Sequence, residues 1–202
     1  MLFRSNLRFV QGRGRYTDDI VLPRQAYLYV LRSPHAAALI TRIDVAQATA
    51  AEGVIGVFTG ADAVADGLGH FTSIIPRKHP DGRPHVEPPF PILALERVAH
   101  AGFPVVAVVA ETLAAARDAA ELVEIEYGTL PSVTRTDQLL RDGAPPVWPQ
   151  APDNVCFVHE LGNRLTVDDA FAKAAHIAKV SLAITRVSAN PLENRNSIGV
   201  YD

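Results

Sequence analysis

Apolar residues fall in short runs separated by Gly- and Pro-bearing breaks, and the period within each run predicts an element. Residues 26–31 and 38–43 are two strand candidates around the turn at Pro34, expected to form a hairpin or to lie side by side. Asp44 is placed to cap a short helix with Val45, Ala48 and Thr49 on one face, and Gly53 stands where such a helix should end. Residues 54–58 then read as a strand, giving β-β-α-β, and 61–65 add one helical turn. Further on, Val98 to Gly102 make a turn-like approach to residues 104–110, which are apolar throughout and so belong in a strand buried on both faces. Thr112 should cap the next helix, whose Leu113, Ala116, Ala120 and Val123 share one side, with Arg117 and Glu121 four apart as a possible surface pair. Residues 122–127 alternate: Val123, Ile125 and Tyr127 on one face, Glu124 and Glu126 on the other. That is a half-buried strand with a wet carboxylate face.

Two stretches break the rhythm. Between Gly67 and Pro91, Pro76, Pro80, Pro84, Pro88, Pro89 and Pro91 deny regular hydrogen bonding, so a long irregular loop is expected, with Lys78 and the nearby arginines facing a partner protein. Its His70, His79 and His85 are spaced by nine and six, which matches no helix face and no common metal-ligand pattern. Residues 131–153 hold Trp148 among five prolines and read as a linker with at most one helical turn near 136–141. Beyond it come a strand at 154–161, a helix at 166–175 capped by Thr166 with Asp169 in the capping-box position, a strand at 177–187 and the start of another at 198–202. So few elements are not expected to cover both faces of a sheet.

Ahead of the first strand, Arg8-Phe9-Val10-Gln11-Gly12-Arg13-Gly14-Arg15-Tyr16-Thr17-Asp18-Asp19-Ile20 reads as a lead-in loop. Gly12 and Gly14 permit tight geometry, and Asp18-Asp19 can bond their own backbone. Gly12-Arg13-Gly14 precedes a strand, whereas a dinucleotide fingerprint must follow one and open a helix.

Composition narrows the class. With 48% hydrophobic and 20% charged residues in 202, the chain is globular, and a net charge of -3 gives no attraction to nucleic acid or an anionic membrane. No apolar stretch reaches the roughly 18 residues of a membrane span, and the first residues lack the apolar core of a signal peptide, so a cytoplasmic setting is expected. The single cysteine, Cys156, allows neither an internal disulfide nor an all-cysteine cluster, and its apolar neighbours predict a small buried residue. G-x-S-x-G, P-loop, H-E-x-x-H and Cys-x-x-Cys motifs are all missing, which leaves a stand-alone hydrolase without a nucleophile and base.

Several motifs in order resemble a known family. Phe9-x-x-Gly12-x-Gly14-x-Tyr16-x-Asp18-Asp19-Ile20-x-Leu22-Pro23, then a run ending in Arg32-Ser33-x-His35-Ala36, is similar to the start of the large, molybdopterin-binding subunit of the xanthine dehydrogenase, aldehyde oxidase and carbon monoxide dehydrogenase family. Residues 43–62, 105–109 and 112–131 resemble that family's α/β hammerhead domain. Asn190-Pro191-Leu192-Glu193-Asn194-Arg195 followed by Tyr201-Asp202 resembles its P-[ML]-E-P-R motif and the strand after it, with Asn194 where proline is commoner.

The resemblance implies an α+β fold: an α/β hammerhead-like domain with a mixed sheet over residues 1–130, a Pro-rich linker at 131–153, and at 154–202 the first elements of an incomplete molybdopterin-binding α+β domain. It implies a role for Glu193 and Arg195 in supporting the molybdenum pocket, against the plainer expectation of a surface ion pair between them. It places the pterin-binding segments and the base glutamate after the point matching Asp202. The chain would then be the N-terminal portion of such a subunit, as a split subunit, truncated product or fragment, inactive alone. Implied cofactors are a molybdenum-pterin group in the full complex, with FAD and iron-sulfur clusters in partner subunits. Implied partners are the remainder of the large subunit and those flavin and iron-sulfur subunits. The implied chemistry is oxidation of aldehydes, N-heteroaromatic rings or carbon monoxide. The rival expectation is a non-catalytic interaction module or truncated remnant that docks through the hammerhead surface.

Overall fold

A computed structural model describes residues 3–75, 77–184, 188–191 and 193–201. Its elements run α1 (Phe3–Val10), β1 (Tyr27–Arg32), β2 (Ala38–Asp44), α2 (Ala46–Thr49), β3 (Val54–Phe58), α3 (Gly60–Ala65), β4 (His70–Phe71), β5 (Phe90–Pro91) and β6 (Arg97–Val98). After these come β7 (Pro104–Ala110), α4 (Leu113–Glu121), β8 (Glu124–Thr129) and α5 (Arg164–Lys173). Chain contacts divide the molecule into two compact units, residues 26–161 and a smaller one that joins the N-terminal residues through Gln25 to those from Gly162 onward. Among the described residues no helix is long and apolar enough to cross a membrane.

The larger unit holds two three-stranded sheets, ordered β1-β7-β3 and β6-β2-β8, and the short pair β4-β5. The expected α+β architecture is present, but the sheet expected to be mixed is antiparallel at every described pairing. The reason lies in strand order. β1 and β3 run the same way, and β7 stands between them. Its apolar run is central, so Val105, Val106 and Val108 are fully buried, as a strand covered on both faces requires.

The expected hairpin of the first two strands is not formed. β1 pairs with β7 and β2 with β8, so the strands belong to different sheets. Their connection is held elsewhere: the Ser33 N–H donates to Phe103 O and the Gly102 N–H to Ser33 O. With Ser33 clamped onto the 100–103 turn, β2 leaves in a new direction.

α4 packs on β1 and β7, and Ala116, Ala119 and Ala120 make its buried face. Small side chains let the helix approach the sheet closely, and Phe103 and the β7 valines fill the space beside them. Thr112 caps the helix as expected, its Oγ1 accepting from Ala115 N at 3.1 Å. For α2 the cap is displaced by one: Val45 is the N-cap residue, while Asp44 Oδ1 accepts from Ala46 N.

The 67–91 excursion is less irregular than expected, because β4 and β5 close its base and Lys78 bridges to Pro84 within it. Residues 136–138 make one 3-10 turn, and Trp148 packs against the core of the larger unit.

In the smaller unit, α5 begins two residues earlier than expected. Asn163 is its cap, with Oδ1 accepting from Thr166 N at 3.1 Å, so Thr166 lies inside the helix. The strands expected at 154–161, 177–187 and 198–202 are not formed at 154–161, 177–184 or 198–201. A strand is completed only by a neighbour that takes up its ladder, and apart from one bond from Val86 N to Cys156 O no described segment forms a ladder with these residues. Residues 185–187 and Asp202 of those expectations, and Leu192 of the P-L-E-N-R motif, lie outside the described residues.

Candidate functional site

The lead-in loop is built by α1 and a tight return. α1 was not expected from the sequence, and its Leu7 and Val10 are both exposed. Gly12 adopts φ +69, and the Phe9 ring stacks on Tyr16 with centroids 5.2 Å apart. Gly14 passes so close to Phe9 that any Cβ there would overlap the ring. Asp19 Oδ2 accepts from Tyr16 N at 2.8 Å, the local carboxylate-to-backbone turn read from the sequence. The single turn of 3-10 helix at Thr17–Asp19 presents Thr17.

Glu193 meets this turn. Its Oε1 accepts from Thr17 Oγ1 at 3.0 Å and from Thr17 N at 3.3 Å. Two motifs separated by 176 positions are thereby joined inside the smaller unit. Arg195, exposed, forms no ion pair with Glu193 among the described residues, so the surface pair is replaced by a bond to Thr17. Nothing in the sequence marks Thr17 as the partner, since it occupies a free position of the Y-x-D-D pattern.

The Arg32-Ser33-Pro34-His35 stretch is structural. An Arg32 guanidinium N–H donates to Gly102 O at 2.9 Å, and His35 N donates to Ser33 Oγ at 3.1 Å. The His35 ring meets Tyr127 edge-on at 4.7 Å. Burial pushes the Tyr127 hydroxyl above its ordinary value near 10, with the Ser33 hydroxyl pulling weakly the other way. Because the folded value is raised, the neutral phenol contributes stability below the ordinary value, and that contribution is lost as pH rises through the folded value. In a spectrophotometric alkaline titration, one tyrosine should ionise later than the others, and Tyr127→Phe should remove that late step. A titration unchanged by the substitution would contradict this assignment.

The remaining candidates resolve into ordinary contacts. Glu124 and Glu126 are exposed and flank Arg42, whose Nη1 lies 3.8 and 3.4 Å from them. Arg117 does not pair with Glu121 among the described residues; its guanidinium lies over the Tyr29 ring, 5.9 Å from the centroid. His85 Nδ1 lies 2.9 Å from Arg77 O, and Cys156 O accepts from Val86 N. Among the described residues no group of three His, Cys, Asp or Glu is placed to hold a metal ion.

Comparison with known proteins adds the family. The model described as "Aldehyde oxidase and xanthine dehydrogenase, a/b hammerhead domain" matches residues 11–131. Nicotine 6-hydroxylase large subunit of Paenarthrobacter nicotinovorans is 34% identical over 198 residues, covering 98% of this chain and 23% of that protein. Carbon monoxide dehydrogenase large chain of Afipia carboxidovorans is 30% identical over 210 residues, covering 98% of this chain and 25% of that one. Among solved structures, reconstituted CO dehydrogenase from Oligotropha carboxidovorans superposes with a TM-score of 0.70 at 30% identity, over 86% of this chain and 22% of that one. The chain thus spans about a quarter of the length of the curated relatives it matches.

Proposed function

This chain belongs to the aldehyde oxidase and xanthine dehydrogenase a/b hammerhead family, and from that premise we propose that it forms the N-terminal portion of a molybdenum hydroxylase large subunit, or a split subunit of one, with a structural and assembly role and no turnover alone. In this reading residues 1–130 are the hammerhead, 131–153 a linker anchored by Trp148, and 154–202 the opening of the cofactor domain. The observation that carries it is the Thr17–Glu193 join. A carboxylate oxygen that accepts from both a backbone N–H and a hydroxyl is committed to holding position. Glu193 is therefore a positioning residue that fastens the P-L-E-N-R segment to the lead-in loop, and Arg195, two residues on and exposed, is proposed to support the molybdenum pocket with it.

The described residues do not supply a molybdenum ligand set, and no chemical step is derived through the metal from this chain. The molybdenum-pterin group is assigned to the assembled large subunit, and FAD and iron-sulfur clusters to partner subunits, in a cytoplasmic complex. Oxidation of an aldehyde, an N-heteroaromatic ring or carbon monoxide is the activity of that complex.

Two measurements test the proposal. The chain is expressed with and without the polypeptide encoded downstream, and molybdenum and pterin are measured in the purified material. Metal in the co-purified complex alone is expected; a soluble monomer that recruits neither partner nor metal would overturn the reading. For the join, Thr17→Val and Glu193→Ala should each cost about 1 kcal/mol in denaturant unfolding. Their double variant should cost no more than one of them, whereas additive losses would mean that the two side chains act independently.

A further inference from the structure

The chain contains three Asp-Gly pairs: Asp66-Gly67, Asp81-Gly82 and Asp142-Gly143. An aspartate followed by glycine can react with its own backbone, because glycine has no side chain to shield its nitrogen from the neighbouring carboxyl. That nitrogen bonds to the aspartate Cγ, and a carboxyl oxygen leaves as water with the N–H proton. A five-membered succinimide results. Water then adds to its main-chain carbonyl and breaks the original peptide bond, so the chain continues through Cγ and the α-carboxyl is set free. The mass is unchanged, and no oxidant or cofactor is consumed.

The reaction needs an available N–H and a carboxyl free to swing onto it. All three glycines have positive φ, +71, +85 and +78 in chain order, so backbone conformation does not separate them. Hydrogen bonding does. At Asp66, the C-cap of α3, Gly67 N donates to Val64 O at 3.0 Å. At Asp81 both reactants are committed: Gly82 N donates to His79 O at 2.9 Å, and the carboxylate accepts from Arg83 N at 3.0 Å and Arg83 Nε at 2.7 Å. The backbone bond from Arg83, then the side-chain one, hold the Asp81 carboxyl below its ordinary value, in the ionised form that is the poorer electrophile.

Asp142-Gly143 lacks these restraints. Arg141 to Ala144 form a turn closed by Ala144 N on Arg141 O at 3.0 Å, with Gly143 in third place. Neither the Gly143 N–H nor the exposed Asp142 carboxylate has a hydrogen-bond partner among the described residues. The adjacent cation, Arg141, is engaged instead with Asp137, Nη2 to Oδ2 at 2.9 Å. Asn154 pins the chain on either side, its Nδ2 donating to Leu139 O at 3.1 Å and Pro145 O at 3.2 Å. The turn between can therefore remodel while its ends stay in place.

We infer that Asp142-Gly143 is a modification site at which the folded chain isomerises to isoaspartate, ahead of the other two Asp-Gly pairs. The ranking rests on hydrogen bonds within each turn and is independent of the cofactor reading.

For the test, the full chain is incubated in warm neutral buffer and digested with chymotrypsin, and electron-transfer fragmentation distinguishes the isoaspartyl from the aspartyl form of each peptide. Isoaspartate at 142 should accumulate at least about tenfold faster than at 81, the factor that hydrogen bonds to a charged group supply, and faster than at 66. Unfolding in urea should bring the three rates together, since only the fold separates them. Arg83→Gln should speed the reaction at Asp81 and leave Asp142 unchanged. Asp142→Glu, with one methylene too many for the five-membered ring, should abolish the leading product. Thermal melts confirm that both variants are folded. Equal rates in the folded chain, a lead at Asp66 or Asp81, a ranking that persists in urea, or no isoaspartate at all would overturn the inference.

Discussion

Phe103→Ala should destabilise the larger unit by about 3–5 kcal/mol, lowering its melting temperature by roughly 10 °C or more. Phe103 is fully buried, and its ring packs 5.3 Å from Phe90 and 5.0 Å from His100. Its carbonyl accepts from Ser33 N, so the residue sits where the β4-β5 pair, the 100–103 turn and the connection between the two sheets meet. Truncation would remove the ring that links Phe90 and His100 to the buried core and leave a ring-sized cavity there. Phe103→Leu keeps most of the volume and should lose far less. Calorimetry on both variants checks the argument; equal, small losses would mean that the site relaxes freely and that Phe103 is not the junction described.

The second large effect is expected from a single added methyl group. Gly60→Ala should cost about 2–3 kcal/mol, because a Cβ at Gly60 would overlap the backbone carbonyl of Ala94. A side chain could swing aside, but a carbonyl in the chain leading to β6 can move only if that chain moves. Gly60 opens α3, so the same clash should shift α3 and Leu95 relative to one another. Denaturant unfolding reads the stability loss, and amide exchange should show it concentrated at α3 and β6. A wild-type unfolding midpoint would mean that the close approach is not present in solution.

Much of the larger unit was legible because its signals are local. The uninterrupted apolar run at β7 predicted burial on both faces, the alternation of β8 predicted which side is wet, and Thr112 marked the start of α4. What failed was what depends on partners distant in sequence. β1 and β2 look like a hairpin because they are consecutive, and only the clamp of Ser33 on Phe103 and Gly102 sends them into different sheets. The apolar runs after residue 154 have strand composition, but composition does not supply the neighbour that a ladder needs. Thr166 reads as the cap of α5 because its side chain suits that place, but Asn163, whose side chain suits it equally, is the residue that fills it. At the candidate site, Glu193 stood out from its setting in the P-L-E-N-R motif. Thr17 did not, since a contact spanning 176 positions leaves no trace in either neighbourhood.

The position of β7 bears on how the protein is made. It is the middle strand of its sheet and the last of the three to be synthesised, so β1 and β3 emerge from the ribosome with no strand to join. Until residues 104–110 follow, the nascent chain carries two open apolar edges, Tyr27–Arg32 and Val54–Phe58. Such edges are templates for pairing with other chains, and closing them is slow because the partner is distant in sequence. When β7 follows, it closes one edge of each waiting strand at once, and only their outer edges stay unpaired among the described residues.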